Sequence, residues 1–160
     1  MRQWTLIALS LIAGLGACGI DPALGVSTKS EAGPMAVQTF QVCGKPLDLE
    51  IARSRPDQRR GLMYRDGLDE GKGMLFIFVP PKRAAMWMRN VTFPIEIGFF
   101  DRRGRFLNYH YAEPGDPEAS DFDLPLYRSD GRTKYVVEAS PGFFSEGTLD
   151  GCVIDPVLPE

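Results

Sequence analysis

The chain has 160 residues, 44% of them hydrophobic, with 18 Lys and Arg against 21 Asp and Glu. This length and apolar content suit one domain with its own core and leave little room for a second. A nucleic-acid-binding surface needs clustered basic residues that neutralise phosphates. The formal net charge of −3 therefore argues against nucleic acid as a partner.

The N-terminal segment predicts a secretion signal. Arg2 precedes an apolar run over residues 4–17, which is too short to span a bilayer comfortably. The run ends in LGAC, a sequence that resembles the bacterial lipobox, at which signal peptidase cuts before a cysteine that carries acyl chains. We expect residues 1–17 to be a signal peptide and lipidated Cys18 to anchor the chain to a membrane of the cell envelope, facing the periplasm or the exterior. The alternative is an ordinary cleavage site that happens to precede a cysteine.

The next segment, residues 18–36, is rich in Gly, Ala, Ser and Pro and has no hydrophobic periodicity. This composition predicts a flexible tether, which leaves residues 37–160 as the folded domain. Cys43 and Cys152 are then the remaining cysteines. An even number of thiols in an exported chain predicts one disulfide, and two buried free thiols are the alternative.

From Val37 onward the hydrophobic patterns predict short strands. The alternation in VQTFQVC and PLDLEIA indicates two half-buried strands, and the continuous apolar run GMLFIFV indicates a central strand covered on both faces. Pro80 and Pro81 are expected to end that strand. The segments IEIGFFD and RFLNYHY flank a turn and predict a hairpin, while KYVVEA and GCVID complete the set.

Two short helices are also predicted. Ser54, with Asp57 three residues later, resembles a capping box, and the helix that it begins is expected to end near Tyr64. Ser140 followed by Pro141 predicts a second helix start. The expected fold is mainly β: a single compact antiparallel β barrel or sandwich with two short helices.

The stretch AAMWMRN is the main candidate for a site. On a strand, Met86 and Met88 would lie on one face and Trp87 and Arg89 on the other. Methionine commonly fills core gaps, so the methionine pair is interpreted as packing. An indole and a guanidinium on the same side can form a platform for an anionic or planar ligand.

Asn90 leaves this strand and Glu96 opens the next one. With Trp87 and Arg89 they would supply a donor, a cation and an acceptor beside an aromatic wall, as polar small-molecule sites do. The predicted ligand-binding residues are therefore Trp87, Arg89, Asn90 and Glu96. The alternative is a structural Arg89–Glu96 salt bridge covered by the tryptophan.

Two other interpretations stay open. Met86, Met88 and the lone histidine, His110, could offer two thioethers and an imidazole to Cu(I), a soft ion that prefers such ligands. His110 could instead act as the base of a hydrolase. The sequence contains no nucleophile elbow, HExxH, P-loop or CxxC motif to support catalysis, so neither a catalytic residue nor a cofactor is predicted.

Five segments in order, RGLMYRDGL, KGMLFIF, MWMRN, PIEIGFFD and KYVVEASPGFF, resemble the uncharacterised DUF192 family. The resemblance runs from about Leu49 to Cys152 and implies a compact, mostly antiparallel β domain with few helices. Arg89 replaces the usual lysine and Glu96 the usual aspartate. The family has no established activity, so the resemblance implies architecture and no mechanism.

Together these observations favour a membrane-tethered, extracytoplasmic domain of unknown function. We expect a non-enzymatic module that binds a small ligand or a protein of the envelope.

Overall fold

The computed structural model describes residues 34–158, which fall within one unit of the chain, Ala32–Glu160. The proposed signal peptide, its lipobox, Cys18 and most of the proposed tether lie outside the described residues. Among residues 34–158 no helix has the length and apolar character needed to cross a membrane.

Within residues 34–158 the chain forms nine strands and one short helix. In chain order they are β1 Val37–Val42, β2 Lys45–Ala52, α1 Arg55–Arg60, β3 Lys72–Lys82, β4 Ala85–Met86, β5 Ile95–Phe100, β6 Phe106–Ala112, β7 Tyr127–Arg128, β8 Thr133–Ala139 and β9 Ile154–Asp155. Seven strands form one curled sheet in the order β6-β5-β8-β3-β2-β1-β9, a half-barrel, while β4 and β7 pair separately. The mainly β prediction is confirmed, although the sheet does not close into a barrel.

The neighbouring strands are antiparallel except for β2 and β3, which run parallel. The long connection between these two strands contains α1, as a parallel crossover requires. β3 lies in the middle of the sheet, and its residues 73–78 are all buried. The predicted central strand is therefore confirmed, because a strand covered on both faces is apolar without alternation.

The sheet has two apolar faces, which we call the cleft face and the closed face. Met74, Phe76 and Val136 belong to the cleft face, which packs against the segment 84–91. Side chains of opposite parity, such as Leu75 and Val137, belong to the closed face. Because side chains alternate along a strand, each central strand contributes to both cores.

The predicted second helix is wrong. Residues 141–146 form successive turns, and the N–H of Phe143 donates to Ser140 O at 3.3 Å. Gly142 has a φ of +89°, a left-handed conformation that interrupts a helix. The N–H groups of Phe144 and Ser145 donate to the Glu96 carboxylate and so need no helical carbonyl.

Two prolines were expected to end β3, yet the strand continues through them. The pairing of β3 with β8 shifts between Ile77 and Lys82, and Pro80 and Pro81 lie inside this irregularity. A proline cannot donate to the ladder, so it is tolerated where the ladder is interrupted.

The predicted start of α1 is confirmed. Ser54 Oγ accepts a hydrogen bond from the N–H of Asp57 at 3.2 Å, as an N-cap does. The helix ends at Arg60, earlier than expected. Gln58 Nε2 donates to Ile77 O at 2.8 Å, which ties α1 to the central strand and positions one wall of the cleft described below.

The structure pairs Cys43 and Cys152 in the predicted disulfide, across a sequence separation of 109 residues. Cys43 lies in the turn between β1 and β2, and Cys152 lies just before β9. Cys152 belongs to the core of the closed face and Cys43 packs against it. The bridge therefore closes that core between its first and last strands.

Candidate ligand-binding cleft

A cleft of about 360 Å³ opens between α1 and the segment 85–91, above the cleft face of the sheet. Its volume is in the range typical of small-molecule sites. The residues that line it are Arg55, Gln58, Arg59, Arg60, Gly61, Leu62, Met63, Phe76, Phe78, Lys82, Ala85, Met86, Trp87, Arg89, Val91 and Glu138.

The wall formed by residues 84–89 follows the predicted alternation. Met86 and Met88 are buried in the core of the cleft face, while Trp87 is 38% exposed. Trp87 and Arg89 both line the cleft, so the structure brings these two predicted residues together. Only Ala85–Met86 forms a true strand, by pairing with β7.

Arg89 makes an ion pair with the carboxylate of Asp121, and both side chains are partly exposed. The alternative prediction of an Arg89–Glu96 salt bridge is therefore wrong. The acidic partner comes from the long loop after β6, a contact that no local sequence pattern indicated.

Asn90 does not line the cleft but holds one of its walls. Its Nδ2 donates to Tyr64 Oη at 2.8 Å, and its carbonyl accepts from the N–H of Tyr64 at 2.9 Å. Asn90 has a φ of +53°, a conformation that asparagine adopts more readily than most residues. These bonds join the loop after α1 to the end of the segment 85–91.

Glu96 lies on the closed face, away from Trp87 and Arg89. It is fully buried, and its Oε2 accepts from the N–H groups of Phe144 at 2.6 Å and Ser145 at 3.2 Å. Its neighbour Ile97 points to the cleft face instead. The structure therefore does not bring Glu96 into the predicted site, because the strand period places it on the other side of the sheet.

Sequence reasoning missed a set of basic side chains, which we call the cationic rim. They all line the cleft: Arg55, Arg59, Arg60, Lys82 and Arg89. Within residues 34–158, Arg55 and Arg59 make no ion pair or hydrogen bond through their guanidinium groups. The Nζ of Lys82 lies 4.1 Å from the centre of the Phe78 ring, a cation–π contact. The signal was available, since Arg55 and Arg59 are four residues apart and so share one side of α1.

Glu138, on β8, was also missed. It lines the cleft, is 4% exposed, and lies opposite Met74 and Ile97 in the neighbouring strands. No hydrogen bond reaches its carboxyl group from within residues 34–158. Burial raises the pKa of Glu138 to about 8, although the charge of Arg65 opposes this. The sequence feature that could have identified Glu138 is the presence of an acid inside the otherwise apolar run YVVEA.

Arg65 does not neutralise Glu138 because it is already paired. Both of its Nη groups donate to the Glu50 carboxylate, with Nη2 to Oε2 at 2.8 Å. This bond and the neighbouring charge lower the pKa of Glu50 and raise the pKa of Arg65. Both Nη groups of Arg65 are therefore bonded to Glu50 on β2, and Arg65 makes no hydrogen bond to Glu138.

His110 lies outside the cleft lining. Its Nε2 is 2.8 Å from Arg128 O and 3.1 Å from Asn108 Nδ2, and its ring packs against Phe99 and Tyr127. Residues 34–158 contain no group of three or more His, Cys, Asp or Glu side chains arranged to hold a metal ion. That observation does not address thioether ligands, so the interpretation with Met86, Met88 and His110, like the hydrolase, stays a prediction.

The solved structures that resemble the chain include the following two. A protein of unknown function from Novosphingobium aromaticivorans is 26% identical with a TM-score of 0.65, and the match covers 92% of this chain and 99% of that one. A Sinorhizobium meliloti protein described as "a putative transcription regulator" is 25% identical, also with a TM-score of 0.65, over 76% of this chain and 95% of that one.

A search among curated proteins found no match. The family model that describes DUF192, an "Uncharacterized ACR", matches residues 37–152. This range contains nearly all of the sheet, both walls of the cleft and the two disulfide cysteines, and the match covers well over half of the chain. The chain therefore belongs to the DUF192 family.

Proposed function

We propose that this chain is a membrane-tethered, extracytoplasmic binding module, without enzymatic activity, whose cleft takes a small anionic ligand with an apolar body. The observation that carries the proposal is the combination of an aromatic and aliphatic floor with the cationic rim in one cleft. Apolar walls with a few charged groups at defined positions are typical of small-molecule sites.

The apolar part of the ligand would lie between Trp87 and the sheet. Phe76 and Phe78 come from β3 below, and Leu62 and Met63 come from the loop after α1. Burial of ligand surface against these side chains favours binding by about 25 cal/mol per Å² of apolar area before the costs of association are subtracted.

The anionic part of the ligand would lie at the rim. Arg89 already has Asp121 as a partner, and Arg60 Nη2 is 3.9 Å from Asp57 Oδ1. Arg55 and Arg59 have no such partner within residues 34–158 and are free to bind a carboxylate, sulfonate or phosphate in a forked geometry.

The tether part of the proposal rests on the lipobox-like sequence LGAC, which ends at Cys18. We expect Cys18→Ala to abolish labelling by radioactive palmitate and to move the protein from the detergent phase to the aqueous phase. Unchanged labelling and partitioning in this variant would contradict the anchor without bearing on the cleft.

Binding is tested with Trp4→Phe in the full chain, which leaves Trp87 as the one tryptophan, since the sequence contains two. We expect saturable changes in Trp87 emission on titration with 4-isopropylbenzenesulfonate, phenyl phosphate or octanoate, and a weaker response to neutral 4-isopropylbenzyl alcohol. Calorimetry on the unmodified chain gives the same affinities without the fluorophore.

Arg59→Ala is expected to weaken binding of the sulfonate about tenfold, the value of one charge-assisted hydrogen bond, with the free energy of unfolding changed by less than about 0.5 kcal/mol. Arg103→Ala, in the turn between β5 and β6, is the matched control and should bind normally. If none of the three anions binds, or if the neutral alcohol binds as tightly as the sulfonate, the proposed function is wrong.

A further inference from the structure

We propose that Glu138 is the innermost polar contact of the cleft, and that the ligand therefore carries an uncharged hydrogen-bond acceptor, such as a carbonyl oxygen, at the end opposite its anionic group. This deepens the proposed function and rests on it. The ligand class is thereby narrowed to amphipathic anions with two polar ends, of which only the outer end is charged.

Within residues 34–158, no group donates a hydrogen bond to the carboxyl group of Glu138 or accepts one from it. Glu138 lines the cleft together with Trp87, Phe76 and Phe78. Glu138 is 4% exposed, and the accessible part of its carboxyl group opens onto the cleft that it lines. Polar groups with so little access to water usually have a hydrogen-bond partner. A ligand that enters the cleft would supply the partner that residues 34–158 do not.

The protonation state decides what kind of partner fits. Burial keeps the pKa of Glu138 near 8, so at neutral pH the group is mainly a carboxylic acid with one O–H to donate. The charged groups that face it are Arg65, which is bonded to Glu50, and the cationic rim. A hydrogen-bond acceptor on the ligand satisfies the O–H without requiring a buried charge.

A cationic inner end is the competing possibility, because an ammonium group could pair with ionised Glu138. The charges of the cleft argue against it. Glu138 is the one acidic side chain among the lining residues described, and five cationic side chains surround the entrance. An ammonium group would have to pass them, and the positive charge of Arg65, which acts on Glu138, would oppose it as well.

Three sulfonates of one shape test this inference on the unmodified protein. They differ only at the end opposite the sulfonate: 4-acetylbenzenesulfonate has a carbonyl acceptor, 4-isopropylbenzenesulfonate has none, and 4-(aminomethyl)benzenesulfonate has an ammonium group. The sulfonate stays ionised throughout the pH range used. At pH 6.5 we expect the acetyl compound to bind about fivefold to tenfold more tightly than the isopropyl compound, and the ammonium compound to bind most weakly.

Substitutions then assign the effect to Glu138. Glu138→Gln keeps a donor and should retain the preference for the acetyl compound, whereas Glu138→Leu should remove it, so that the acetyl and isopropyl compounds then bind with similar affinities. In the wild type the preference should fall as the pH rises through about 8, while in Glu138→Gln it should not change with pH. Glu113→Gln, at an exposed acid, is the control.

The outcomes separate the two proposals. If all three sulfonates bind with equal affinity, or if the ammonium compound binds best, the inference about Glu138 is overturned and the anion-binding cleft stands. If the preference for the acetyl compound persists unchanged in Glu138→Leu, another group makes the contact. If no sulfonate binds, the inference fails; if phenyl phosphate and octanoate fail to bind as well, the proposed function fails with it.

Discussion

Two buried glutamates on neighbouring strands have different surroundings on the two faces of the sheet. The closed face is covered by the chain at Glu96, whereas the cleft face is open at Glu138. Glu96 on β5 and Glu138 on β8 are one position apart in the register, since Ile97 lies opposite Glu138, and they are 0% and 4% exposed. Glu96 accepts two backbone N–H groups from the turn that covers the closed face. Glu138 has no hydrogen-bond partner within residues 34–158.

The difference teaches that burial of an acid does not by itself indicate a site. On the closed face the chain supplies both the carboxylate and the donors, so Glu96 belongs to the fold, although its Oε1 has no partner. On the cleft face the cover is incomplete, and Glu138 borders a cavity. The surroundings of each carboxyl group distinguish the two, since Glu96 is covered by the turn at Phe144 and Glu138 lines a cavity.

The largest effect should come from the disulfide, which belongs to the closed face. Replacing Cys43 and Cys152 by serine together should lower the free energy of unfolding by about 4 to 5 kcal/mol, because the bridge restricts a long loop in the unfolded chain. Urea denaturation of the double variant and of the oxidised wild type measures this. Binding of 4-isopropylbenzenesulfonate below the transition should be unchanged, and a change there would mean that the two faces are not independent.

Glu138→Gln should make stability less dependent on pH. The folded protein holds the Glu138 proton up to about pH 8, whereas the ordinary pKa of a glutamate is 4.5. Its contribution to stability is therefore complete below pH 4.5 and is lost as the pH rises through 8. We expect Glu138→Gln to match the wild type at pH 4.5 and to exceed it at pH 9 by on the order of 4 kcal/mol, at about 1.4 kcal/mol per pH unit.

Urea midpoints at pH 4.5 and pH 9 test this expectation. Glu113→Gln serves as the exposed control and should follow the wild type at both values. Parallel behaviour of Glu138→Gln and the wild type would mean that Glu138 is solvated through the cleft and is not held as an acid.

Glu96→Ala should lower the free energy of unfolding by about 2 to 3 kcal/mol, because it removes the acceptor of two N–H groups in the turn 141–146. Hydrogen exchange should show the largest loss of protection at Phe144 and Ser145. Glu118→Ala, in the exposed loop, is the control. A loss of sulfonate affinity in Glu96→Ala with stability unchanged would return Glu96 to the ligand site.

Trp87→Ala should have the smallest effect, a loss of less than about 2 kcal/mol, since the side chain is 38% exposed. A buried tryptophan would cost about 3 to 5 kcal/mol. Met88→Ala, at a neighbouring residue that is 1% exposed, is the matched comparison and should cost about 2 to 5 kcal/mol. Equal losses at the two positions would mean that Trp87 is core and does not line an open cleft.

The sequence by itself determined most of the strands, although not β7, together with the capped start of α1, the disulfide and the alternation around Trp87. These are properties of local chemistry, because side-chain period, capping residues and an even thiol count are visible in short windows. The family and its β architecture also follow from the sequence, through ordered motifs.

Only the tertiary structure decided which of these side chains meet. Glu96 is close to Arg89 in sequence and is therefore predicted to share its site. In the structure the sheet lies between them, and Glu96 accepts a hydrogen bond from the N–H of Phe144. Residues distant in the chain, Arg59 on α1 and Glu138 on β8, complete the cleft with Trp87. The order of the strands and the crossover connection decide which distant side chains come into contact. That order depends on packing across the whole core, and a short window of sequence carries no information about it.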